Sequence, residues 1–481
     1  MRVLWPVYKL HKEENQYPGI MVLSSLLKLY GFEVEVVNAQ YEEVKSRLSA
    51  GERAVLAYST PTSFFRHYLE LNRQLKQDFP EVLSVFGGPH PTFFPEIVEE
   101  EGVDAICIGE GEYCLLELAQ AWLKRNPLHS IPNLWVKADG RIYRNPLRPL
   151  LEDLNQLPLP DHNIFWKASG GTLTHAVVLT SRGCPHSCTY CYNHVYRQIY
   201  KSDSGKMVRR RSVAHVIAEL REIKKQGREF IRFMDDLFIL SADWIHEFSG
   251  RYREEIGLPF SCLARANYVT PEIVASLKKA GCYRMLIGVE AGSERVRNQI
   301  LRRNMSEETV LRAAETIRSH RIKLVTASIL AVPGGGIEDD LKTLELNIRC
   351  RPDFASAALL VPFPRTEIHD FARNGGWLTS EGDLSIESSF GFGFTSPLRF
   401  REASEKHQME NLQKFFPLTV KFPRLLPLVR RLIRLRPNLC FLLIYRASIA
   451  YGAYTQFVTP VAGLKMLFRR FIPGFRSGTS V

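Results

Sequence analysis

The stretch LTSRGCPHSCTYCYN, residues 179–193, puts three cysteines into eight residues: Cys184, Cys188 and Cys191, spaced C-x3-C-x2-C, with Tyr190 just before the third. Three thiolates on so short a loop can reach three corners of one 4Fe–4S cubane. The fourth iron is then left without a protein ligand and is open to a small chelating molecule. Clusters that only carry electrons normally use four cysteines, so three suggest a catalytic cluster. The same spacing also suits zinc, with His186 or His194 as fourth ligand. The other six cysteines, Cys107, Cys114, Cys262, Cys282, Cys350 and Cys440, are scattered and read as buried small apolar residues. Nine cysteines in 481 residues make no disulfide framework, and the expected compartment is reducing and cytoplasmic.

Outward from the loop, apolar runs and helical periods alternate. HAVVLTSRG, FIRFMDD, FSCLARAN, RMLIGVEAG, KLVTASILAVPG and ASAALLVPFP read as strands. Helical stretches separate them, near 212–226, 241–256, 271–280, 306–319 and 338–349. Six βα repeats from about residue 174 to 372 predict a barrel or partial barrel, with its active residues at the carboxyl ends of the strands. The cysteine loop follows the first of these strands directly.

Residues 1–130 form a second α/β series. RVLWPV, VEVVNA, AVLAYS, VLSVFGG and AICIGEG alternate with helical stretches, predicting a doubly wound parallel sheet. Ligands of such sheets sit beyond the carboxyl ends of the strands. Those ends carry YSTPTS (58–63), GGPHPT (87–92) and GEGE (109–112). Between the two series, residues 131–173 hold a hairpin signal at Asp139-Gly140 and a Leu- and Pro-rich linker. The N-terminus runs straight into a strand-like segment, with no small-residue cleavage site of a signal peptide.

The net charge of +12 is concentrated near the C-terminus. Glu410 is the last acidic residue, twelve Lys or Arg follow it, and residues 1–410 are formally neutral. The region 373–481 is expected to be mostly helical, basic and amphipathic. Its arginines alternate with Leu, Ile and Phe, which fits an anionic membrane surface better than nucleic acid. It fits equally well helices packed on the barrel with arginines snorkelling outward. No segment is apolar enough for a membrane span. FGFGFTSP (390–397) could line a substrate pocket or form a packed loop.

CPHSCTYC after the first strand of a βα series resembles the radical S-adenosylmethionine (AdoMet) superfamily, over roughly 174–372. The resemblance implies that Cys184, Cys188 and Cys191 hold a 4Fe–4S cluster whose open iron chelates AdoMet. Reductive cleavage of AdoMet, fed by an external electron donor, then yields a 5′-deoxyadenosyl radical. It places Tyr190 by the adenine and makes Asp235 and Asp236 of FMDD candidates for the methionine amino group. It gives Arg265 to the carboxylate, and Glu290 and Ser293 of GVEAGSE to the ribose. AVPGGG lies near the expected adenine pocket.

The front series is similar to the cobalamin-binding domain of cobalamin-dependent radical AdoMet enzymes, which extends the resemblance over about 1–372. It implies a Rossmann-like cobalamin domain with contacts from Ser59, Thr60, Gly87, Gly88, His90, Thr92, Gly109, Glu110 and Gly111. The D-x-H-x-x-G signature is absent, so His90 is expected to shape the loop or touch cobalamin, not to bind cobalt. The implied reaction is C-methylation of an unactivated carbon in a small-molecule or lipid-linked substrate. Rearrangement, cyclisation or oxidation without methyl transfer is the alternative within the family. A zinc-bound non-catalytic protein is the alternative outside it.

Overall fold

The computed structural model describes residues 1–10, 16–201, 207–378 and 395–455. Most of FGFGFTSP and the chain after residue 455 lie outside the described residues. The chain divides into two compact units, Met1–Pro185 with Val195–Met234, and His186–His194 with Asp235–Val481.

The first unit holds strands β1 (Arg2–Val7), β2 (Glu33–Asn38), β3 (Val55–Ser59), β4 (Leu83–Gly87), β5 (Ala105–Cys107), β6 (Leu134–Ala138) and β7 (Arg141–Arg144). Their order is β2-β1-β3-β4-β5-β6-β7, parallel through β5 and antiparallel after it. The predicted hairpin joins β6 to β7 with positive φ at Asp139 (50°) and Gly140 (70°), the backbone of a two-residue turn that matches strand twist.

Both faces of the sheet are covered, which explains the near-continuous apolar runs. Strand alternation sends Val3, Trp5 and Val7 to one core, shared with helices Pro18–Leu29 and Glu112–Lys124. It sends Leu4 to the other core, shared with helix Phe65–Asp78. Leu154, Leu157, Ile164 and Phe165 of the linker are buried, so that segment is packed rather than loose. The unit also contains β8 (His175–Val178) parallel to β11 (Phe230–Phe233). A short antiparallel bridge pairs β9 (Ser181–Arg182) with β10 (Arg209–Arg210).

The second unit carries β12 (Phe260–Ala264), β13 (Cys282–Glu290), β14 (Lys323–Leu330) and β15 (Phe354–Leu359), all parallel to their neighbours. Strands therefore occur at all six places the apolar runs mark. Helices occupy Val213–Lys225, Ala242–Glu255, Pro271–Ala280, Glu307–Ser319 and Ile337–Cys350. Their ends are written locally. Helix Pro271–Ala280 starts where Thr270 accepts the Ile273 N–H, has Pro at its first position, and stops at Gly281 with φ 102°.

The chain after Glu402 is mostly helical where it is described, with breaks at Phe422 and between Ile433 and Asn438. Helix Ala403–Lys421 buries Met409, Leu412, Phe415 and Phe416 in one cluster with Leu330, Leu344, Ala355 and Leu359. At about 2 kcal/mol per fully buried large apolar side chain, this helix belongs to the core of the unit. Among the described residues no helix is long and apolar enough to cross a membrane.

Candidate functional site

The cysteine loop is tied down by Thr189. Its N–H donates to the Leu301 carbonyl at 3.3 Å, its hydroxyl to the Ile300 carbonyl at 2.8 Å, and its own carbonyl accepts the Ile368 N–H at 3.1 Å. Cys188 is buried, whereas Cys184 and Cys191 are partly exposed. Two guanidiniums converge on the Cys188 Sγ, Arg265 Nη1 at 3.6 Å and Arg303 Nη1 at 3.7 Å. Both arginines are buried. Arg265 also bonds Asn267 Oδ1 at 3.1 Å and the Arg303 carbonyl. Cationic donors around a buried sulfur suit an anionic cluster ligand, whose potential responds to such hydrogen bonds.

Glu290 closes the same constellation. The β13–β14 register slips between Gly288 and Glu290, and Glu290 takes φ 63°. Such bulges re-aim a side chain at a strand end. The Glu290 carboxylate points to Arg303, with Oε1 to Nη2 at 3.7 Å, while Nη2 donates to the Gly288 carbonyl at 3.0 Å. A Cβ on Gly288 would lie 2.2 Å from Glu290 Oε1, so glycine there leaves room for the carboxylate as it is aimed. Burial pushes the Tyr190 phenol well up, the charge on Glu290 adds to the shift and Arg303 opposes it. Its ring packs on the cluster of Val296, Leu301 and Val332.

The other expected AdoMet residues follow β11 and lie in the GVEAGSE turn. Asp236 is surface-accessible yet sits in a dense surround. Desolvation raises its carboxyl, and a hydrogen bond from Asn193, two residues past Cys191, partly offsets the rise. Asp235 is wholly buried, within electrostatic reach of the Cys262 thiol. Ser293 is buried and hydrogen-bonded to Asp339, near the start of helix Ile337–Cys350. Its hydroxyl thus ties the GVEAGSE turn to that helix.

Sequence patterns did not single out Arg303 or Arg297. Fully buried Arg297 donates to the carbonyls of Ala291, Gly292 and Met305 at 2.8–2.9 Å, holding the turn's backbone. The only signal for Arg303 is the basic pair in LRRNM.

The two histidines of the zinc reading are engaged elsewhere. His194 Nε2 lies 2.5 Å from Glu367 Oε1, and His186 Nε2 lies 3.2 Å from the Tyr268 hydroxyl. Among the described residues no three His, Cys, Asp or Glu side chains gather closely enough to hold a single metal ion. Of the scattered cysteines, Cys107, Cys114, Cys262, Cys282 and Cys350 are buried as expected. Cys440 is exposed, because it lies on the outward face of the helix Leu439–Thr455.

In the first unit the candidate cobalamin residues meet at the carboxyl ends of β3, β4 and β5. The Thr60 N–H donates to the Gly87 carbonyl at 2.8 Å, and the His90 N–H donates to the Thr60 carbonyl at 2.9 Å. The Thr92 hydroxyl donates to the Gly88 carbonyl at 2.8 Å and accepts the Gly109 N–H at 3.0 Å. Ser59 Oγ lies beside Gly88, 3.5 Å from where a Cβ would stand. Gly109 has φ 79°, and a Cβ there would fall 1.7 Å from the Tyr200 hydroxyl, so backbone alone fits.

Two of these residues differ from simple ligand contacts. The His90 ring is stacked between Phe65 and Phe94, at centroid distances of 4.1 and 4.9 Å, as a loop-shaping residue would be. The Glu110 carboxylate accepts from Arg182 at 2.8 Å, from Arg209 at 2.8 and 3.0 Å, and from the Leu151 N–H at 3.0 Å. Burial alone would raise that carboxyl, but Arg182 and Arg209 outweigh it and hold it below its ordinary value. What Glu110 and Gly111 can offer a ligand there is backbone.

Residues 178–346 match the radical SAM superfamily, and residues 13–119 match the B12 binding domain. An uncharacterized methyltransferase of Pyrococcus horikoshii is 28% identical over 299 residues, 60% of this chain and 63% of the relative. The anaerobic magnesium-protoporphyrin IX monomethyl ester cyclase of Rubrivivax gelatinosus is 22% identical over 71% of this chain and 62% of the relative. The chain thus spans somewhat under two thirds of the length of these curated relatives. The structure of OxsB, a cobalamin-dependent S-adenosylmethionine radical enzyme, is 16% identical and shares the fold. Its TM-score is 0.69, with 98% of this chain and 74% of OxsB covered. With a B12 binding domain ahead of a radical SAM domain whose first strand opens into CPHSCTYC, the chain belongs to the cobalamin-dependent radical S-adenosylmethionine family.

Proposed function

We propose that the protein is an enzyme that methylates an unactivated carbon of a small-molecule or lipid-linked substrate, using a 4Fe–4S cluster, AdoMet and cobalamin. The observation that carries this reading is Arg303, which joins Cys188 to Glu290 beside Tyr190. Cys184, Cys188 and Cys191 would hold the cluster. Tyr190, Asp235, Asp236, Arg265, Glu290 and Ser293 would meet AdoMet. Ser59, Thr60, Gly87, Gly88, His90, Thr92 and the backbone of Gly109 to Gly111 would form the cobalamin shelf.

Bound together, these groups would supply a carbon-centred radical and a methyl donor. The chain's own part is positioning. Arg265 and Arg303 present N–H donors to a cluster thiolate. Glu290, aimed by its bulge, presents a carboxylate that can accept hydroxyl protons. Tyr190 rests on the apolar cluster of Val296, Leu301 and Val332, which fixes its ring. The glycines of the first unit let backbone approach a flat ligand closely.

Cyclase relatives support a second reading, ring closure without methyl transfer. One experiment separates the two. The anaerobically reconstituted full chain is incubated with a reductant, methyl-labelled AdoMet and a metabolite or lipid extract, with and without cobalamin. Methylation predicts 5′-deoxyadenosine, S-adenosylhomocysteine and labelled product, all dependent on cobalamin. 5′-Deoxyadenosine with no label in any product supports the second reading. A colourless protein with zinc and no iron sinks both.

A further inference from the structure

Helix Leu439–Thr455 has two apolar faces, and the described residues cover only one. Phe441 and Tyr445 are buried, and Phe441 packs against Phe415 at 4.7 Å between ring centroids. Leu439, Leu443, Ala447 and Tyr451 recur at every fourth position and are all exposed. Leu439 is 67% exposed, Leu443 53% and Tyr451 51%. Four-residue spacing puts them on one stripe of the helix. The preceding segment also exposes large apolar side chains, with Phe422 54% exposed and Leu428 and Leu435 each 52% exposed.

The cations among these side chains are exposed and unmatched. Lys421, Arg424, Arg431, Arg434, Arg436 and Arg446 make no ion pair among the described residues. Arg430 alone in this stretch reaches an acid, Glu345, at 2.7 Å. No acidic residue follows Glu410. A surface that exposes leucines among six uncompensated cations has two needs, apolar depth and negative charge.

We infer that residues 421–451 dock the protein on an anionic phospholipid surface, leucines toward the acyl boundary and arginines at the headgroups. A second copy of the chain would bring like charges together. A nucleic acid would leave the leucine stripe in water. The inference does not depend on the chemistry proposed above.

Flotation of the full chain with vesicles tests it. Vesicles of phosphatidylcholine with phosphatidylglycerol should recover the protein, and phosphatidylcholine alone should not. Recovery should fall as salt rises. Arg431→Ser with Arg434→Ser should lower the partition coefficient about 30-fold, from roughly 1 kcal/mol per cation. Leu439→Asp with Leu443→Asp should abolish recovery at an unchanged melting temperature, since both leucines are exposed. Equal recovery with both vesicle types, or none with either, overturns the inference. So does displacement of the protein from vesicles by duplex DNA, or a dimer that Leu439→Asp dissolves. The salt series on the unaltered chain keeps the test decisive should a variant misfold.

Discussion

Arg303 links the cluster loop to the end of β13: one guanidinium nitrogen lies 3.7 Å from the Cys188 sulfur and the other 3.7 Å from Glu290. A single side chain thus couples a proposed cluster ligand to a proposed AdoMet ligand. Replacing it should be felt at both ends. Arg303→Leu leaves the partly buried Glu290 without its counter-charge and should cost about 2–3 kcal/mol, below the range for a fully buried pair, read as a lower denaturation midpoint. Arg303→Lys should recover part of that, since it restores charge but not the fork. In the reconstituted protein Arg303→Leu should also make the cluster potential more negative, because a hydrogen bond to sulfur is lost. An unchanged potential in a folded Arg303→Leu protein would reduce Arg303 to a structural role.

Gly288→Ala separates the aim of Glu290 from its charge. The added methyl would stand 2.2 Å from Glu290 Oε1 and 3.2 Å from Arg303 Nη2. The clash is with the end of a side chain, so Glu290 can swing away at a cost of only about 1 kcal/mol in stability. AdoMet affinity should fall about tenfold or more, the worth of one charged hydrogen bond. Equilibrium dialysis against AdoMet checks this. Wild-type affinity would mean that Glu290 does not meet the ligand.

Much of this organisation is legible in the sequence, because the strands that launch the candidate loops are parallel and largely buried. These strands are apolar-rich runs such as AVLAYS and KLVTASIL, and helix ends carry their own caps at Ser212, Thr270 and Ser306. The spacing of CPHSCTYC is a local signal too. What pattern reading misses is held by partners far apart in the chain. Arg303 gains meaning only when folding sets it 115 residues back against Cys188. Glu110 reads as part of a ligand loop until Arg182 and Arg209 arrive to pair with it. The β9–β10 bridge is two residues long on each side, too short for any periodicity.

Asp340 supplies a pH test of the AVPGGG turn. Wholly buried, it accepts the Ala331 N–H at 3.0 Å, and desolvation pushes its carboxyl up to about 8. The folded-state value lies above the unfolded one, near 3.9. Its favourable contribution is therefore complete below about pH 4 and is lost as pH rises through about 8. Asp340→Asn removes the ionisation and keeps an acceptor. The variant's melting temperature relative to wild type should climb between pH 5 and pH 9, by an amount equivalent to a few kcal/mol. A difference that stays flat across that range would show that Asp340 does not titrate there.

Glu219 makes the opposite prediction for the strand that launches the cysteine loop. Its two oxygens meet His162 Nε2 at 2.6 Å and Arg211 Nη1 at 2.5 Å, with all three side chains buried. Arg211 in turn holds the end of β8, with its N–H on the Thr180 carbonyl at 2.9 Å and its Nη1 on the Leu179 carbonyl at 3.0 Å. Burial alone would raise the Glu219 carboxyl, yet Arg211 and His162 outweigh it and hold it below the ordinary value. Its contribution is therefore present above the ordinary carboxylate range and lost as pH falls through it. Glu219→Gln strands the Arg211 charge and should cost about 3–5 kcal/mol near pH 7. The gap from wild type should narrow toward pH 4, where wild type begins to lose the same interaction. Urea midpoints at the two pH values measure it. Because Leu179 and Thr180 precede Cys184 by only a few residues, the variant should also release iron faster from the reconstituted protein. An equal stability gap at both pH values, with iron retained as in wild type, would mean that this buried triad neither titrates nor positions the loop.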